Sequence, residues 1–282
     1  MEPIKTIDEI RSKVEAFKAD GHTVGFVPTM GALHEGHLSL IRRAREKADK
    51  VVVSIFVNPT QFGPGEDFQD YPRTLDRDLD VCEKESVAAA FCPTEDIMYQ
   101  GNQYISFQID TLADHMCGAK REGHFEGVLQ VVNKLFNIVK PDFAVFGQKD
   151  IQQFVLLRQM VKEFNHEVEL VMGEIIRAND GLALSSRNAY LSDEERQIAP
   201  GLYRSLKYLK KQVKNGVDRV KLLTEHQKDE LEAKGFKIDY LNIFTFDTLK
   251  PVKTLKKERM YIIAGAVYLG ETRLIDNVIV EL

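Results

Sequence analysis

The stretch Met30-Gly-Ala-Leu-His-Glu-Gly-His37 decides the fold, because it joins a strand pattern to a helix pattern. On its N-terminal side, Thr23-Val-Gly-Phe-Val-Pro28 is a short apolar run that ends in proline, which is typical of a buried strand. On its C-terminal side, apolar residues recur at helical spacing from Leu38 to Ala48. This junction predicts an α/β domain with His34 and His37 on one face of the first helical turn.

The start of a helix attracts anions, because its N–H groups lack partners and its dipole presents a positive end. Phosphate chemistry is therefore the first hypothesis for this stretch. Similar junctions occur in α/β domains without such a role, so a purely structural interpretation stays open. Metal ligation by His34 and His37 is a minor alternative, since their spacing is not that of His-Glu-x-x-His. The three cysteines form no Cys-x-x-Cys pair that would complete a metal site.

Composition limits the class of protein. At 282 residues, the chain is long enough for two domains or for one large domain. Its 44% hydrophobic and 29% charged residues are typical of a globular protein, and a net charge of −5 argues against nucleic-acid binding. No apolar run reaches the roughly 20 residues of a membrane span, and the N-terminus lacks a signal-peptide pattern. Since three scattered cysteines give no disulfide framework, we expect a cytoplasmic protein. Because no membrane span is indicated, we expect no membrane partner.

Residues 1–175 alternate between strand and helix patterns, which predicts an α/β fold with a Rossmann-like parallel sheet and helices on both faces. The strand patterns are Thr23–Pro28, Val51–Val57, Val87–Phe91, Tyr104–Ile109, Ala144–Phe146 and Glu167–Met172. The helix patterns are Ile7–Ala19, His34–Ala48, Asp76–Lys84, Gly127–Val139 and Ile151–Phe164.

Residues 176–282 follow a different pattern, which predicts a smaller C-terminal α+β domain. Two surface helices are predicted at Ser192–Gly216 and Val217–Lys234, and three strands at Lys237–Phe244, Met260–Tyr268 and Arg273–Val280. The loop Arg177–Asn188 connects the two predicted domains.

Ligands of parallel sheets collect at the carboxyl ends of the strands, so the segments after Pro28, Val57 and Phe146 are candidate binding segments. After Val57, Asn58 and Gln61 offer amide groups suited to a carboxylate or hydroxyl of a small substrate. Asn58 precedes a proline and is equally explained as the start of a turn.

The segment after Phe146 contains Gly147, which allows close approach of a ligand, and Lys149, which can neutralise phosphate charge. Asp150 also fits a helix N-cap, and either Gln152 or Gln153 can face the ligand from the first helical turn. In the connecting loop, Ser185-Ser-Arg187 is a compact set of phosphate donors.

Six segments, in order along nearly the whole chain, resemble the pantothenate synthetase family. They are Pro28–His37, Phe56–Phe62, Gly123–Val128, Phe146–Asp150, Gly181–Asn188 and Thr272–Asn277. The His-Glu-Gly-His tetrad is similar to the adenylate-forming signature of class I aminoacyl-tRNA synthetases. Two positions depart from the family pattern: Glu122 stands where proline is common, and Leu184 where methionine is frequent.

The resemblance implies an enzyme that uses ATP to activate D-pantoate as pantoyl adenylate, from which β-alanine displaces AMP to give pantothenate. It also implies Mg²⁺ carried by the phosphates of ATP, with no protein ligand set assigned. The first domain would bind ATP and pantoate, and the C-terminal domain would act as a lid. Family members are typically homodimers joined through the N-terminal domain, so a homodimer is expected.

Carried over residue by residue, the resemblance implies that His37 is the proton donor, with His34 and Lys149 as further catalytic residues. The implied ATP-binding residues are Met30, Gly31, His34, His37, Gly147, Lys149, Asp150, Ile176, Leu184, Ser185, Ser186 and Arg187. The implied pantoate- and β-alanine-binding residues are Pro28, Asn58, Gln61 and Gln153.

Two other functions remain open. A nucleotidyltransferase of the same His-x-Gly-His superfamily would act on a phosphate ester, and it would explain the phosphate-binding segments equally well. It would not explain Gln61 and Gln153, which suit a hydroxy acid. A nucleotide-binding module without catalysis is the third hypothesis, and it would not need His37.

Overall fold

The computed structural model describes residues 1–282, and these form two compact units. The first unit comprises Met1–Ile109, Arg121–Gly147 and Leu156–Glu174. The second comprises Asp110–Lys120, Gln148–Val155 and Ile175–Leu282. The domain boundary expected between residues 175 and 176 stays a prediction.

A five-stranded parallel sheet forms the centre of the first unit, in the order β3-β2-β1-β4-β5. Its strands are β1 (Val24–Thr29), β2 (Lys50–Ile55), β3 (Ala89–Phe91), β4 (Phe143–Gly147) and β5 (Glu169–Gly173). The strand order reverses between β1 and β4, and in open parallel sheets ligands bind at such a switch point. The predicted parallel α/β fold is confirmed.

Most helices of the chain lie where the sequence patterns predict them. They are α1 (Ile7–Ala19), α2 (Glu35–Arg45), α3 (Leu75–Lys84), α4 (Glu95–Met98), α5 (His124–Val139), α6 (Ile151–Glu163), α7 (Asp193–Ile198), α8 (Gly201–Lys214) and α9 (Val220–Glu232). No helix combines the length and the apolar composition that crossing a membrane requires.

The core of the first unit follows from the apolar strands. Val51, Val52 and Val53 on β2 are all buried, as expected for a strand that is covered on both faces. Ile41 of α2 and Phe143 of β4 pack in the same cluster as Val51 and Val53. The packing of α2 against the sheet therefore fixes the helix that begins next to His34.

An antiparallel sheet of β6 (Lys237–Thr245), β7 (Met260–Leu269) and β8 (Thr272–Glu281) forms the second unit with its helices. Leu206 and Leu209 of α8 pack on one face of this sheet with Leu231 of α9. The predicted smaller α+β part is confirmed in its three strands. β8 is an edge strand, since it pairs only with β7.

Two predicted elements are wrong. Tyr104–Ile109 is not a strand, and the side chains of Tyr104 and Ile105 are 89% and 87% exposed. The segment has the alternating pattern of a strand but finds no partner strand within this chain, and a strand without a ladder does not form. The predicted helix Ser192–Gly216 is two helices, because Pro200 interrupts it before α8.

The start of α5 lies directly against the segment that follows β2. A Cβ atom at Gly127 would overlap the carbonyl oxygen of Thr60 and would lie 2.7 Å from the backbone nitrogen of Gln61. Only glycine permits this approach between α5 and the turn Pro59–Gln61.

Gly127→Ala is expected to lower the free energy of unfolding by about 1–3 kcal/mol, because the added methyl group forces the turn away from α5. Urea denaturation measures the change. Gly63→Ala is the control, since a Cβ there would lie 3.9 Å from its nearest neighbour, in Glu66. Equal stability of the two variants would contradict the close approach.

Candidate active site

The loop between β1 and α2 is held by a buried carboxyl group. Gly31 and Ala32 both adopt the left-handed conformation, with φ of 83° and 49°. The Oδ2 atom of Asp78 accepts the N–H of Ala32 at 2.9 Å, and Oδ1 accepts the N–H of Leu33 at 2.8 Å. A Cβ at Gly31 would lie 3.0 Å from Oδ2 of Asp78, so both the backbone angle and the space require glycine there.

His34 and His37 cap the first turn of α2 with their rings. Nδ1 of His34 accepts the N–H of Gly36 at 3.1 Å, and Nδ1 of His37 accepts the N–H of His34 at 3.3 Å. The ring centroids are 4.2 Å apart. A backbone N–H can only donate, so each Nδ1 is unprotonated and each neutral ring carries its proton on Nε2.

This arrangement changes the expectation for the helix start. The sequence predicts N–H groups that are available to an anion, but the two rings already accept the N–H groups of His34 and Gly36. Each ring has its proton on the far nitrogen, at the positive end of the helix dipole. Imidazole N–H groups thus replace backbone N–H groups as candidate anion donors.

Gln61 lies beside the loop that carries the histidines. Its Oε1 accepts a hydrogen bond from Nδ2 of Asn58 at 3.1 Å, and its Nε2 lies 3.1 Å from the sulfur of Met30. The structure thus brings together Met30, Asn58 and Gln61, which the sequence predicts to bind nucleotide or substrate.

Asn58 is buried and uses its whole amide group within the protein. Its Nδ2 donates to Gln61 and to the carbonyl of Gly127 at 3.2 Å, and its Oδ1 accepts from the hydroxyl of Tyr99 at 2.6 Å. Thr60 also donates its hydroxyl to Oδ1, at 3.0 Å. The geometry therefore favours Asn58 as a residue that orients Gln61.

A second chain of contacts reaches the backbone of Gln61. Nδ1 of His124 lies 2.7 Å from the carbonyl oxygen of Gln61, and its Nε2 lies 2.7 Å from Nη1 of Arg121. Because arginine can only donate, Nε2 accepts and Nδ1–H donates to Gln61. Arg121 in turn donates to both carboxylate oxygens of Glu66, at 2.7 and 2.6 Å.

In the second unit, Lys149 and Asp150 lie in the turn Gln148–Asp150, and Gln153 is half-buried in the first turn of α6. Gln152 is buried and fully used. Its Nε2 donates to the carbonyls of Leu112 and His115, and its Oε1 accepts the N–H groups of Cys117 and Gly118. Of the two glutamines that the sequence leaves open, only Gln153 retains an amide available to a substrate.

The predicted phosphate-binding segment Ser185-Ser-Arg187 follows a short hairpin in the second unit. The N–H of Leu184 donates to the carbonyl of Ile176 at 2.9 Å, which closes the hairpin. Ser185 then caps the turn Ser186–Tyr190, because its hydroxyl accepts the N–H of Arg187 at 3.3 Å. The hairpin therefore holds Ile176 and Leu184 next to Ser185.

Several residues that build the site were not singled out from the sequence. Asp78 lies on an amphipathic helix with many charged residues, and the sequence pattern does not distinguish it from the exposed ones. A detectable signal exists on β8, where Asp276 interrupts an inward-facing series of Leu274, Val278 and Val280. Burial of an unpaired carboxyl group in such a series costs free energy, so an aspartate at this position is a candidate functional residue.

These features define an α/β protein with a pair of ring N–H donors after the central strand and two hydrogen-bonded carboxamide side chains, Asn58 and Gln61, beside them. The sequence profile described as pantoate-beta-alanine ligase matches residues 2–279, and the chain belongs to this family. The resemblance drawn from the six sequence segments is confirmed.

Relatives support the assignment across the whole length. A pantothenate synthetase from Thermotoga petrophila is 51% identical over 280 residues, which are 99% of each chain. The crystal structure of the ligase from Thermus thermophilus has a TM-score of 0.90 at 42% identity and covers 99% of each chain. The ligase from Francisella tularensis, described as complexed with beta-gamma ATP and beta-alanine, has a TM-score of 0.80 at 34% identity, covering 98% of this chain and 97% of that one.

The Glu66–Arg121 pair predicts a pH dependence of stability. Hydrogen bonds from Arg121 hold the pKa of Glu66 below its ordinary value of 4.5, against the opposing effect of burial. A lowered folded-state pKa means that the pair stabilises the fold above about pH 4.5 and that this contribution is lost as pH falls through the folded-state pKa. Glu66→Gln is therefore expected to lower the free energy of unfolding at neutral pH, with the difference shrinking toward acid pH.

Urea titrations of wild type and variant between about pH 3 and pH 7 measure this difference. In an Arg121→Ala background, the same substitution is expected to show no pH-dependent difference. A difference that persists without Arg121 would rule out the pair as its source.

Proposed function

We propose that this chain catalyses the ATP-dependent condensation of D-pantoate with β-alanine through a pantoyl-adenylate intermediate. The observation that carries the proposal is the pair His34 and His37, whose Nδ1 atoms cap α2 and whose protons are on Nε2. Family membership and the Francisella relative described with beta-gamma ATP and beta-alanine support the same reaction.

In the first step, a carboxylate oxygen of pantoate attacks the α-phosphorus of ATP, and the bond from this phosphorus to the pyrophosphate oxygen breaks. Charge on the α-phosphate oxygens grows during the attack. His34 and His37 donate hydrogen bonds from Nε2–H to these oxygens, and His37 serves as the proton donor in this sense, because a neutral imidazole keeps its Nε2 proton. Such fixed donors lower the barrier because they need no reorganisation when the charge develops.

In the second step, the amine of β-alanine attacks the acyl carbon of the adenylate, the bond from this carbon to the AMP oxygen breaks, and the nitrogen releases one proton to solvent as the amide forms. Gln61 and Gln153 bind pantoate, and Gln61 also contacts β-alanine. Asn58 acts through Gln61, since its own amide is used within the protein, and Pro28 borders the acyl substrate. Holding both reactants in one orientation supplies much of the rate enhancement in a reaction of this kind.

The residues proposed to bind ATP are those that the family resemblance implies. Lys149, Ser185, Ser186 and Arg187 bind the β- and γ-phosphates, with Asp150 and Leu184 beside them. Met30 and Gly31 border the phosphates, and Gly147 and Ile176 contact adenine or ribose through their backbone groups.

We propose that Mg²⁺ binds together with ATP, through its phosphates. The structure contains no group of three or more His, Cys, Asp or Glu side chains that could hold a metal ion. Mg²⁺ commonly binds through one or two carboxylates and substrate phosphates, so a nucleotide-borne ion fits these residues. Bound with ATP, Mg²⁺ would neutralise phosphate charge, and Lys149 would do the same.

We also propose a homodimer and a cytoplasmic location. The exposed Tyr104 and Ile105 are large hydrophobic side chains on a segment outside the helices and strands, and a second copy of the chain would cover them. The cysteines Cys82, Cys92 and Cys117 are free, as is usual in a reducing compartment.

Exchange of labelled pyrophosphate into ATP tests the reaction. Exchange is expected only with pantoate and Mg²⁺ present. Exchange that needs a phosphate ester instead would favour the related nucleotidyltransferase, and no exchange with any acceptor would favour a binding module without catalysis.

His37→Ala is expected to lower the rate of exchange by about 10²-fold or more, as the loss of one transition-state donor does. The matched control is His226→Ala on the exposed face of α9, which should keep the wild-type rate. A near-normal rate for the His37 variant would exclude its catalytic role.

Gln61→Ala is expected to raise the KM for pantoate while the KM for ATP stays close to wild type, because Gln61 faces the acyl substrate. Steady-state kinetics with each substrate varied in turn measure the two constants. Gln197→Ala, on exposed α7, is the control. An equal loss of affinity for both substrates would mean that the substitution disturbs the fold.

A further inference from the structure

Asp276 and Asn277 are neighbours on the edge strand β8, and both are buried. Successive side chains of a strand point to opposite faces of its sheet. Asp276 shares its face with Leu274, Val278 and Val280, which belong to the core under α8. Asn277 therefore points to the other face. Asp276 and Asn277 thus project from one edge strand to opposite faces of the sheet.

Asn277 holds the turn that carries Lys149. Its Nδ2 donates to the carbonyl of Gln148 at 2.9 Å and to the carbonyl of Lys149 at 3.1 Å. Its Oδ1 accepts a hydrogen bond from Nε2 of Gln148 at 3.0 Å. The buried amide of Asn277 thus uses both its nitrogen and its oxygen in hydrogen bonds to this turn, and these bonds fix the backbone of the turn.

Asp276 holds the hairpin that leads to Ser185. Its carboxylate oxygens accept from both terminal nitrogens of Arg177, at 2.6 and 2.9 Å. Arg177 also donates to the carbonyl of Gly181 at 3.1 Å and stacks on the ring of Tyr203 at 3.6 Å. The ion pair therefore fixes both the base and the tip of the hairpin that ends at Ser185.

The two attachments are electrically linked. Burial raises the pKa of Asp276, while the ion pair with Arg177 opposes this rise and the charge of Lys149 opposes it further. Lys149 is therefore close enough to Asp276 for its ammonium charge to be felt. One strand edge thus sets both the backbone of Lys149 and the hairpin before Ser185.

We propose that Asp276 and Asn277 are positioning residues that set the distance between Lys149 and the Ser185–Arg187 loop to match the phosphates of ATP. The proposal rests on the proposed function, which assigns these two segments to ATP. Lysine is a point charge on a flexible stem, so the backbone beneath it must be fixed for its charge to reach a defined phosphate. Neither residue of the pair needs to touch the nucleotide.

Asn277→Leu removes the three hydrogen bonds with little change in side-chain volume. It is expected to raise the KM for ATP and to lower the rate of pyrophosphate exchange, together by roughly 10- to 100-fold, because small displacements of a positioned group cost this much. The KM for pantoate should stay near its wild-type value.

Arg273→Gln is the matched control. Arg273 lies on the same strand and the same face as Asn277, and its guanidinium donates to Asp239 at 3.1 and 2.7 Å. Neither of these contacts involves an ATP-binding segment. This variant is expected to lose stability in thermal unfolding and to keep the wild-type KM for ATP.

A double-mutant cycle separates positioning from general loss of structure. If Asn277 acts through Lys149, then Asn277→Leu should cause little further loss of exchange in a Lys149→Ala background. Losses that multiply, or a KM for ATP like that of the Arg273 variant, would overturn the proposal. If Asn277→Leu does not fold, Asn277→Asp and Asp276→Asn replace it, with the same expected rise in KM.

Titration with a non-hydrolysable ATP analogue distinguishes this proposal from the proposed function. A wild-type protein that binds the analogue but shows no pantoate-dependent exchange would refute the proposed function alone. The positioning role would then stand or fall on whether Asn277→Leu weakens binding of the analogue and Arg273→Gln does not. A wild type that binds no analogue would overturn both.

Discussion

The carboxyl group of Asp78 holds the loop on which the proposed active site depends. The left-handed turn at Gly31 and Ala32 leaves the N–H groups of Ala32 and Leu33 outside both β1 and α2, and Asp78 accepts them. A buried N–H without a partner costs about 1–3 kcal/mol, so this turn would not persist without the carboxyl group. Because Asp78 lies on α3, the packing of α3 fixes the point at which α2 begins.

The two histidines then serve the fold and the proposed chemistry with different nitrogens. Nδ1 of each ring accepts a backbone N–H at the start of α2, which leaves the ring proton on Nε2. A side-chain cap of this kind stabilises the start of a helix, and it also fixes the direction of each ring. Losses of stability and of activity in variants of His34 or His37 therefore need separate measurement.

Carboxamide side chains fix the irregular segments around the proposed substrates. Asn58 fixes Gln61, Gln152 holds the segment that contains Cys117 and Gly118, and Asn277 holds the turn before α6. An amide has two donors and an acceptor, so a buried one can satisfy several backbone groups that lie in neither helix nor strand. Rigid support of this kind is what a site built on loops requires.

The sequence by itself determined the elements whose signal is local. The valine run of β2, the helical spacing of α1, and the approach of His34 to His37 all follow from residues close together in the chain. It determined the family as well, because six short segments carry the resemblance. Local patterns were not enough for Tyr104–Ile109, since a strand also needs a partner that the pattern does not specify.

Only the tertiary structure decided how the site residues are held. Met30 and Gln61 are 31 positions apart, Ala32 and Asp78 are 46 apart, and Lys149 and Asn277 are 128 apart. These contacts depend on the order of the strands and on which helix packs against which loop. The side chains that make them look like ordinary surface or strand residues in the sequence, because burial and hydrogen-bond partners are properties of the folded chain.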